Sequence, residues 1–386
     1  MTIISSATTA TLSTSTAGDD ILVTTNGSII NSSGYAIQTT GPFAYNVGIQ
    51  IYGEVVGTNN AIQLDGASTG TFFGGTEVFV AAGGLVASEG AFALQSVGTH
   101  TEVTNAGTIS ATNTALYFQA GDNIVLNTGT ISSQSYAIFA DQSSISGETE
   151  IANAGTIQGS IYIQSGTGVI SNSGLIAGTG TTIRLDPFSD NDTLTLVNSG
   201  IITSLANTYA IAASGTFLGA DTIYNTGLIN GSINLVAGTD LVRNHGEVFG
   251  DIDLGDGDDT YRGSGSVTGT LDGGSGADTL YTRADLASVS GFETVYLRGA
   301  AGIDFTAADD GTGSTIRGNK AGNEIDAGDG DDLLFGRGGD DVLDGGAGKD
   351  KLTGGRGTDI FLFNETGDTG ASKATADRIL DFGGKD

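Results

Sequence analysis

The chain has no cysteine and no tryptophan, and only one methionine and two prolines among its 386 residues. Because cysteine is absent, neither disulfide bonds nor thiol chemistry can contribute to the fold or to catalysis. No run approaches 18 consecutive apolar residues, so no transmembrane helix is expected. Long stretches with a 3.6-residue apolar period and helix caps are also lacking, which favours a fold built from strands.

Positive charge is scarce. The chain has 14 Lys and Arg residues against 44 Asp and Glu, a formal net charge of −30. Such an excess of acid disfavours nucleic acids and anionic membrane surfaces, so we expect neither nucleic-acid binding nor membrane insertion. It also opposes folding until cations neutralise it. Extracellular calcium modules have dissociation constants of about 0.1–1 mM, so external calcium would fold such a region and cytosolic calcium would not.

Sequence motifs for an N-terminal signal peptide and for catalysis are also scarce. The N-terminal segment Met1–Asp20 lacks a basic stretch followed by an apolar run, so an ordinary cleavable signal peptide is not expected. HExxH, a zinc protease motif, does not occur. The only two histidines, His100 and His245, lie in repeat positions. We therefore predict that the protein is not an enzyme.

The alternative is a polysaccharide lyase, an epimerase or a sugar-binding module on a β-helix. Such proteins need basic residues to offset the carboxylates of acidic sugars. Before position 251 the only candidates are Arg184 and Arg243. Arg184 opens the segment RLDPFSDND, which also holds Asp186, Asp190 and Asp192. A carbohydrate or metal site would need these side chains to gather in one groove, whereas the interpretation that we favour is a surface loop.

Glycine, in contrast, is abundant, with 64 residues. From Gly318 the sequence steps in nines: GNKAGNEID, AGDGDDLLF, GRGGDDVLD, GGAGKDKLT and GGRGTDIFL; a further copy, GGSGADTLY, spans Gly273–Tyr281. The pattern is G-G-x-G-x-D-x-U-x, where U is a large apolar residue. The glycines permit a tight turn. The Asp and the turn carbonyls are hard oxygen ligands that suit Ca²⁺.

Two such nonapeptides form one coil of a parallel β-roll, so an ion lies between turns that are two nonapeptides apart in the sequence. The corner residues obey this spacing in three pairs: Asn323 and Asp341, Asp332 and Asp350, Asp341 and Asp359. The U positions, which we expect to point inward, are Ile325, Leu334, Leu343, Leu352 and Phe361. A flexible Gly/Asp-rich linker has no reason to place an apolar residue at every ninth position.

From Leu254 to Asp386 the chain therefore resembles the RTX (repeats-in-toxin) family of hemolysin-type calcium-binding repeats. The resemblance implies Ca²⁺ as the cofactor, export of the unfolded chain by the type I secretion machinery, and folding outside the cell. It also implies metal-site residues, which are Gly273, Gly274, Gly276, Asp278, Asp259, Asn323, Gly328, Gly330, Asp332, Gly336, Gly339, Asp341, Gly345, Gly346, Gly348, Asp350, Gly354, Gly355, Gly357 and Asp359.

This sequence departs from the family pattern at several positions. Asn323 replaces the Asp of the first copy, and Ala321 and Gly322 break the pattern of its turn. We expect this first coil to bind calcium weakly or not at all. Ala327 and Arg337 replace glycines in the next two copies.

The part of the chain before position 251 carries a second repeat, Asn-x-Gly-x-Ile/Val, which begins at Asn105, Asn127, Asn153, Asn172, Asn198, Asn225 and Asn244. Short alternating apolar strands with Gly, Asn and Ser turns, recurring at such intervals, predict a parallel β-helix in which stacked coils build the core. We interpret the Asn residues as a hydrogen-bonded ladder along one corner, with a sugar-binding row as the alternative. Evenly spaced acidic residues, at Asp221, Asp240, Asp259 and Asp278, suggest that one array grades into the other.

The predicted fold is thus all-β, a parallel β-helix that continues into a C-terminal calcium-binding parallel β-roll. The predicted regions are an N-terminal cap or extended segment (1–25), the β-helix (26–282), a connecting β segment (283–316), the RTX roll (317–363) and a C-terminal cap that we expect to be truncated before the export signal (364–386).

The predicted function is that of a secreted calcium-binding structural protein of the bacterial cell surface or extracellular matrix, such as a surface layer, a filament or an adhesin. Its expected partners are further copies of itself, in a homopolymer or lattice, or a cell-surface glycan. The uncharged segment Thr2–Thr16 is expected either to cap its own chain or to pair with a neighbouring copy.

Overall fold

The computed structural model describes residues 1–9, 11–14, 20–39, 47–65, 75–97, 100–142, 147–187, 192–206, 208–215, 219–308, 310–311, 313–363 and 376–383. These residues form 45 strands and no helix. Accordingly, none of the described residues belongs to a helix long and apolar enough to span a bilayer.

The strands follow one another along the whole chain. The first group is β1 (Thr2–Ile4), β2 (Ala7–Thr8), β3 (Leu12–Thr14), β4 (Ile21–Val23), β5 (Ser28–Asn31), β6 (Ile37–Thr39), β7 (Gly48–Ile51), β8 (Glu54–Gly57), β9 (Asn60–Asp65), β10 (Thr76–Val80), β11 (Leu85–Ser88), β12 (Phe92–Val97), β13 (Thr101–Asn105), β14 (Thr108–Ala111), β15 (Thr114–Phe118), β16 (Asn123–Asn127), β17 (Thr130–Asp141), β18 (Glu148–Asn153), β19 (Thr156–Gln164), β20 (Thr167–Asn172), β21 (Leu175–Gly178), β22 (Ile183–Asp186), β23 (Leu194–Asn198), β24 (Ile201–Ser204) and β25 (Tyr209–Ala213). The second group is β26 (Thr222–Asn225), β27 (Leu228–Asn230), β28 (Ser232–Asn234), β29 (Leu241–Asn244), β30 (Glu247–Phe249), β31 (Ile252–Asp253), β32 (Thr260–Gly263), β33 (Ser266–Val267), β34 (Leu271–Asp272), β35 (Thr279–Thr282), β36 (Leu286–Ser290), β37 (Thr294–Leu297), β38 (Asp304–Ala307), β39 (Thr315–Arg317), β40 (Glu324–Asp326), β41 (Leu333–Gly338), β42 (Val342–Asp344), β43 (Lys351–Arg356), β44 (Ile360–Leu362) and β45 (Arg378–Ile379).

The chain divides into two compact units. The first comprises Met1–Ala220 with Gly227–Gly231, and the second comprises Asp221–Thr226 with Ser232–Asp386. Both are parallel β-solenoids, which confirms the predicted fold class. The region boundaries inferred from the sequence remain a prediction.

The first unit is a three-sided solenoid, because each full coil contributes a strand to each of three parallel stacks. One stack runs β1, β4, β7, β10, β13, β16, β18, β20, β23. The second runs from β2 through β5, β8, β11 and β14 to β27, and the third from β3 through β6, β9, β12 and β15 to β25. The strands alternate buried and exposed residues, so each coil buries its apolar face only against its neighbours.

The Asn of the repeat forms a buried ladder along one corner of this unit. Nδ2 of Asn105, Asn127, Asn153 and Asn172 donates to Oδ1 of the next Asn, up to Asn198, at 2.8, 2.7, 2.8 and 2.8 Å. These side chains are at most 2% exposed. The interpretation of the Asn residues as a structural ladder is therefore confirmed. The glycine two positions later allows close stacking, since a Cβ at Gly129 would collide with the carbonyl oxygen of Gly107.

In the second unit the coil becomes two-sided. One stack runs β26, β29, β32, β35, β37, β39, β41, β43, β45. The other runs β28, β31, β34, β36, β38, β40, β42, β44, with β30 and β33 as a short additional pair. Ile325, Leu334, Leu343 and Leu352 are at most 1% exposed, which confirms them as inward positions, whereas Phe361 is half-buried.

The segment that interrupts the nonapeptides is a regular part of the second unit. Between positions 283 and 316 the strands β36 and β38 join one stack, and β37 joins the other between β35 and β39. The apolar side chains Val289, Val295 and Phe305 are at most 2% exposed and continue the core. The segment that the sequence suggested as a connection between two arrays is thus built as coils of the solenoid itself.

Candidate calcium sites

Each complete nonapeptide in the second unit folds as a turn followed by a strand. The second and fourth residues of the turn adopt positive φ, for example 90° and 148° at Gly274 and Gly276, and 73° and 155° at Gly346 and Gly348. Glycine adopts these angles without strain, whereas other residues do so rarely. The sixth residue, the Asp, ends the turn, and the following three residues form the strand.

These Asp residues are linked from coil to coil. The backbone N–H of Asp259 donates to Oδ1 of Asp278 at 2.7 Å, and the N–H of Asp341 donates to Oδ1 of Asp359 at 3.0 Å. The same bond joins Asp332 to Asp350 at 2.8 Å. Each carboxylate therefore has one oxygen that is held in place by the preceding coil.

The second carboxylate oxygen is different. Oδ2 is buried and has no hydrogen-bond donor in Asp240, Asp259, Asp278, Asp332, Asp341 and Asp359. These residues are at most 4% exposed. Asp341 and Asp359 precede strands of one stack, and the other four precede strands of the second stack. A buried, ionised oxygen without a partner is strongly unfavourable, so each of these two rows of carboxylates is a candidate cation site.

Most of these Asp residues lie in segments that match a known family of repeats. The family model of the RTX calcium-binding nonapeptide repeat (4 copies) matches residues 269–285, 311–343 and 326–361. These segments are RTX repeats. RTX nonapeptide repeats bind calcium ions, so Ca²⁺ is the cofactor of this region. Neither the curated proteins nor the solved structures contain a match to the chain.

The residues present in the RTX repeats fit calcium. A glycine at the first position of the turn leaves room beside the free oxygen, because a Cβ at Gly336 or Gly354 would collide with Oδ2 of Asp341 or Asp359. Before Asp332 this position holds Ala327. Calcium takes six to eight oxygen ligands. Within the described part of the chain, no three Asp, Glu, His or Cys side chains converge tightly enough to hold a metal, so turn carbonyls would have to complete the coordination.

The electrostatics of these turns agree with this assignment. Burial, together with neighbouring carboxylates, raises the pKa of Asp278 to about 7 and that of Asp332 to about 8. Burial likewise raises the pKa of Asp259 and Asp341 to about 6. In each case the hydrogen bond from the preceding coil opposes the shift without cancelling it. Bound calcium would supply the positive charge that keeps these carboxylates ionised at neutral pH.

The first nonapeptide, Gly318–Asp326, is built differently. Neither Asn319 nor Ala321 has positive φ, and the side chain of Asn319 accepts the N–H of Ala321 at 2.7 Å instead. The amide of Asn323 is occupied, since Nδ2 donates to the Ala321 carbonyl at 2.7 Å and Oδ1 accepts the N–H of Ile303 at 3.3 Å. Asn323 therefore lies in the same column as Asp341 and Asp359 but has no carboxylate to offer.

One turn of this kind was missed in the sequence. Residues 235–240 repeat the geometry one coil before Asp259: Val236 has φ 70°, Gly238 has φ 150°, and Asp240 is 1% exposed with an unpartnered Oδ2. Its N–H donates to Oδ1 of Asp259 at 2.7 Å. Burial raises the pKa of Asp240 to about 9. The even spacing of Asp240, Asp259 and Asp278 was the only sequence signal, because leucine and valine occupy the glycine positions.

The segment at Arg184 does not gather into an acidic groove in the described residues. Arg184 and Asp186 face outward on β22 and form an ion pair at 2.8 Å, whereas Asp192 is buried, and Asp190 lies outside the described residues. Tyr162 and Ser214 donate hydrogen bonds to Asp186. Burial alone would raise the pKa of Asp186, but these bonds and that from Arg184 lower it below its ordinary value.

Proposed function

We propose that the protein is a secreted structural component of the bacterial cell surface or extracellular matrix that folds when it meets calcium and then self-assembles. The observation that carries the proposal is the row of buried, unpartnered carboxylate oxygens along the RTX repeats. RTX repeat proteins are typically exported by type I secretion and extracellular. A region that needs calcium to fold stays unfolded inside the cell and orders outside it.

The proposed self-assembly rests on strand edges. Among the described residues, β1 pairs with β4, β2 with β5 and β3 with β6, and no partner lies on the other side of these three strands. Ile3 is 59% exposed there. Open parallel edges readily add a strand from another chain. The edge on which we propose that a second copy stacks is therefore formed by β1, β2 and β3, which lie in the segment Thr2–Thr16 that was predicted to cap or to pair.

Two measurements on the full chain test the proposal. Far-UV circular dichroism during a calcium titration is expected to show a gain of β signal with a midpoint of about 0.1–1 mM. Electron micrographs at saturating calcium are expected to show filaments or sheets that dissolve in a chelator. A protein with the same circular dichroism in both conditions would contradict calcium-dependent folding. Folded protein that stays dispersed at high concentration would contradict the structural, self-assembling role.

A further inference from the structure

A row of arginine and aromatic side chains crosses the outer face of the second unit. The registers of consecutive strands align one outward position of each coil, which gives the arginine–tyrosine row: Tyr224, Arg243, Arg262, Tyr281, Tyr296, Arg317 and Phe335. Because parallel strands lie about 4.8 Å apart, the row extends over about 29 Å. It occupies a position that the nonapeptide pattern leaves variable, so neither the fold nor the calcium turns require it.

The side chains of the row are stacked on one another. The rings of Tyr281 and Tyr296 are parallel, with centroids 4.9 Å apart. The guanidinium of Arg262 lies 4.7 Å from the Tyr281 centroid, and that of Arg298, just after β37, lies 4.8 Å from the Tyr296 centroid. Arg317 lies in the same way 4.7 Å from the ring of Phe335. Stacking orients the guanidinium planes before any ligand arrives, which lowers the entropy lost on binding.

These arginines are unusual in such an acidic protein because no carboxylate in the described part of the chain pairs with them. Among the described residues the one ion pair is that of Arg184 with Asp186. The arginines of the row and their neighbours Arg283 and Arg298 account for five of the nine arginines of the chain. Four of them, Arg243, Arg262, Arg283 and Arg298, line a surface depression of about 500 Å³ together with His245 and Tyr281.

We propose that the arginine–tyrosine row binds a linear polysaccharide that carries carboxylate groups. The planar arginine fork matches a carboxylate through two parallel hydrogen bonds. The faces of the tyrosine rings suit the apolar faces of sugar rings. The parallel row on the same outer surface, two positions earlier in each strand, contains Thr260, Thr279, Thr294 and Thr315, whose hydroxyls can bond to sugar hydroxyls.

Charge density favours this ligand over a nucleic acid. Five arginines along about 29 Å offer roughly one positive charge per 6 Å. A nucleic-acid duplex carries one negative charge per about 1.7 Å of its axis, so most of its charge would face a protein of net charge −30. A polysaccharide with a carboxylate on each sugar or on alternate sugars has a much lower charge density, so the acidic protein repels it less.

A carboxylated polysaccharide would be a partner of the proposed surface protein. Its binding rests on the proposed function only because calcium must fold the strands that carry the row. The test uses the full chain at saturating calcium, with size-defined hyaluronan and oligogalacturonate as ligands and neutral dextran as the control. Calorimetry is expected to show binding of the acidic sugars that weakens with salt, and no binding of dextran. Arg262→Gln and Arg298→Gln are each expected to raise Kd about tenfold.

Arg356→Gln is the matched control, because Arg356 is exposed on β43 outside the row and its loss removes the same charge. It is expected to leave Kd within about twofold of the unchanged protein. Circular dichroism on the same samples separates the two proposals. Calcium-folded protein that binds neither acidic sugar, or that loses affinity equally in Arg356→Gln, overturns the inference and leaves calcium-dependent folding intact. Tighter binding of oligodeoxythymidine than of either sugar assigns the row to nucleic acid and also overturns it.

Discussion

The two units differ in the buried polar side chains that link one coil to the next. In the first unit they are Asn residues at the ends of strands, whose amides donate to the next Asn and accept from the previous one, so the ladder is neutral and satisfied by itself. The second unit keeps one such bond, from Asn225 to Asn244, and adds Asp residues just before the strands, which accept a backbone N–H but leave one buried oxygen without a donor. The amide ladder thus needs no further partner, whereas the carboxylates depend on a metal.

Removal of calcium should cause the largest difference in folding between the two units. In calcium-free buffer above about pH 8, where these buried carboxylates are ionised and repel one another, we expect the second unit to lose its structure while the first unit stays folded. Hydrogen exchange read by mass spectrometry should then show protection lost over residues 232–363 and kept over residues 76–213. Equal loss in both units would show that the Asn ladder does not suffice without calcium.

The amide ladder itself can be broken at its centre. Asn153→Ala removes the acceptor of Asn127 and a donor to Asn172, and leaves buried polar atoms unsatisfied. We expect a loss of about 3 kcal/mol in the free energy of unfolding, measured by denaturant titration, with and without calcium. Asn113→Ala, at an exposed position, is the control and should change stability by less than about 0.5 kcal/mol. A dependence of the Asn153 effect on calcium would contradict the separation of the two corners.

In the absence of calcium, pH should change the stability of the second unit but not that of the first. The folded pKa values of Asp259 and Asp341, about 6, and of Asp332, about 8, lie above the ordinary value of 3.8. Their contribution to stability is therefore complete below about pH 4 and is lost as the pH rises through about 6 to 8. Denaturation midpoints of the calcium-free protein should fall over that range. The first unit, whose ladder has no ionisable group, should not follow this trend.

The carboxylate corner can also be converted into an amide corner. Asp341→Asn is expected to raise the calcium midpoint of folding about tenfold, because one anionic ligand is lost. The same change should stabilise the calcium-free protein, because one buried charge disappears. Asp304→Asn removes an equal charge at an exposed position and should leave the midpoint nearly unchanged. If both variants moved the midpoint equally, overall charge and not the corner would set calcium affinity.

Backbone strain should give the smallest effect. Val236 has φ 70°, a conformation unfavourable for a β-branched residue. Val236→Gly is expected to add about 1 kcal/mol to the free energy of unfolding of the calcium-loaded protein. At the neighbouring Ala237, where φ is not positive, glycine should instead destabilise by about 0.5–1 kcal/mol. Thermal unfolding distinguishes the two signs.

Much of this architecture is legible in the sequence, because each feature has its own period. Leu334, Leu343 and Leu352 recur at every ninth position and lie inside, and the Asn repeat marks the corner of the first unit. The coils between positions 283 and 316 were not recognised as such. There the register passes from Thr279 to Thr294 and then to Thr315 in two unequal steps, so no constant period reveals them.

For related reasons, the sequence predicted neither the calcium turn at Asp240 nor the arginine–tyrosine row. The turn keeps its shape although Val236, and not glycine, adopts positive φ there. The glycine pattern of the sequence therefore does not reveal this turn. The row lies at a variable position of the repeat. Its first four members, from Tyr224 to Tyr281, are as evenly spaced as the Asp residues, but unequal stretches of chain separate the later ones. Only the strand registers show that the later members are neighbours.

The hydrogen bonds from a corner backbone N–H to the corner carboxylate of the next coil all point in one direction along the second unit. Each N–H reaches forward to the Asp of the following coil, and in the last coils Asp350 reaches Asp377 while Gly354 and Gly355 reach Asp381. The corner N–H of a coil therefore finds its acceptor only when the following coil has formed, whereas the N–H of the next residue donates back to the preceding coil, as Thr260 does to Asp240. Growth from the C-terminal side would satisfy the corner N–H of each added coil at once. Growth from the other side would satisfy it only when a further coil had formed.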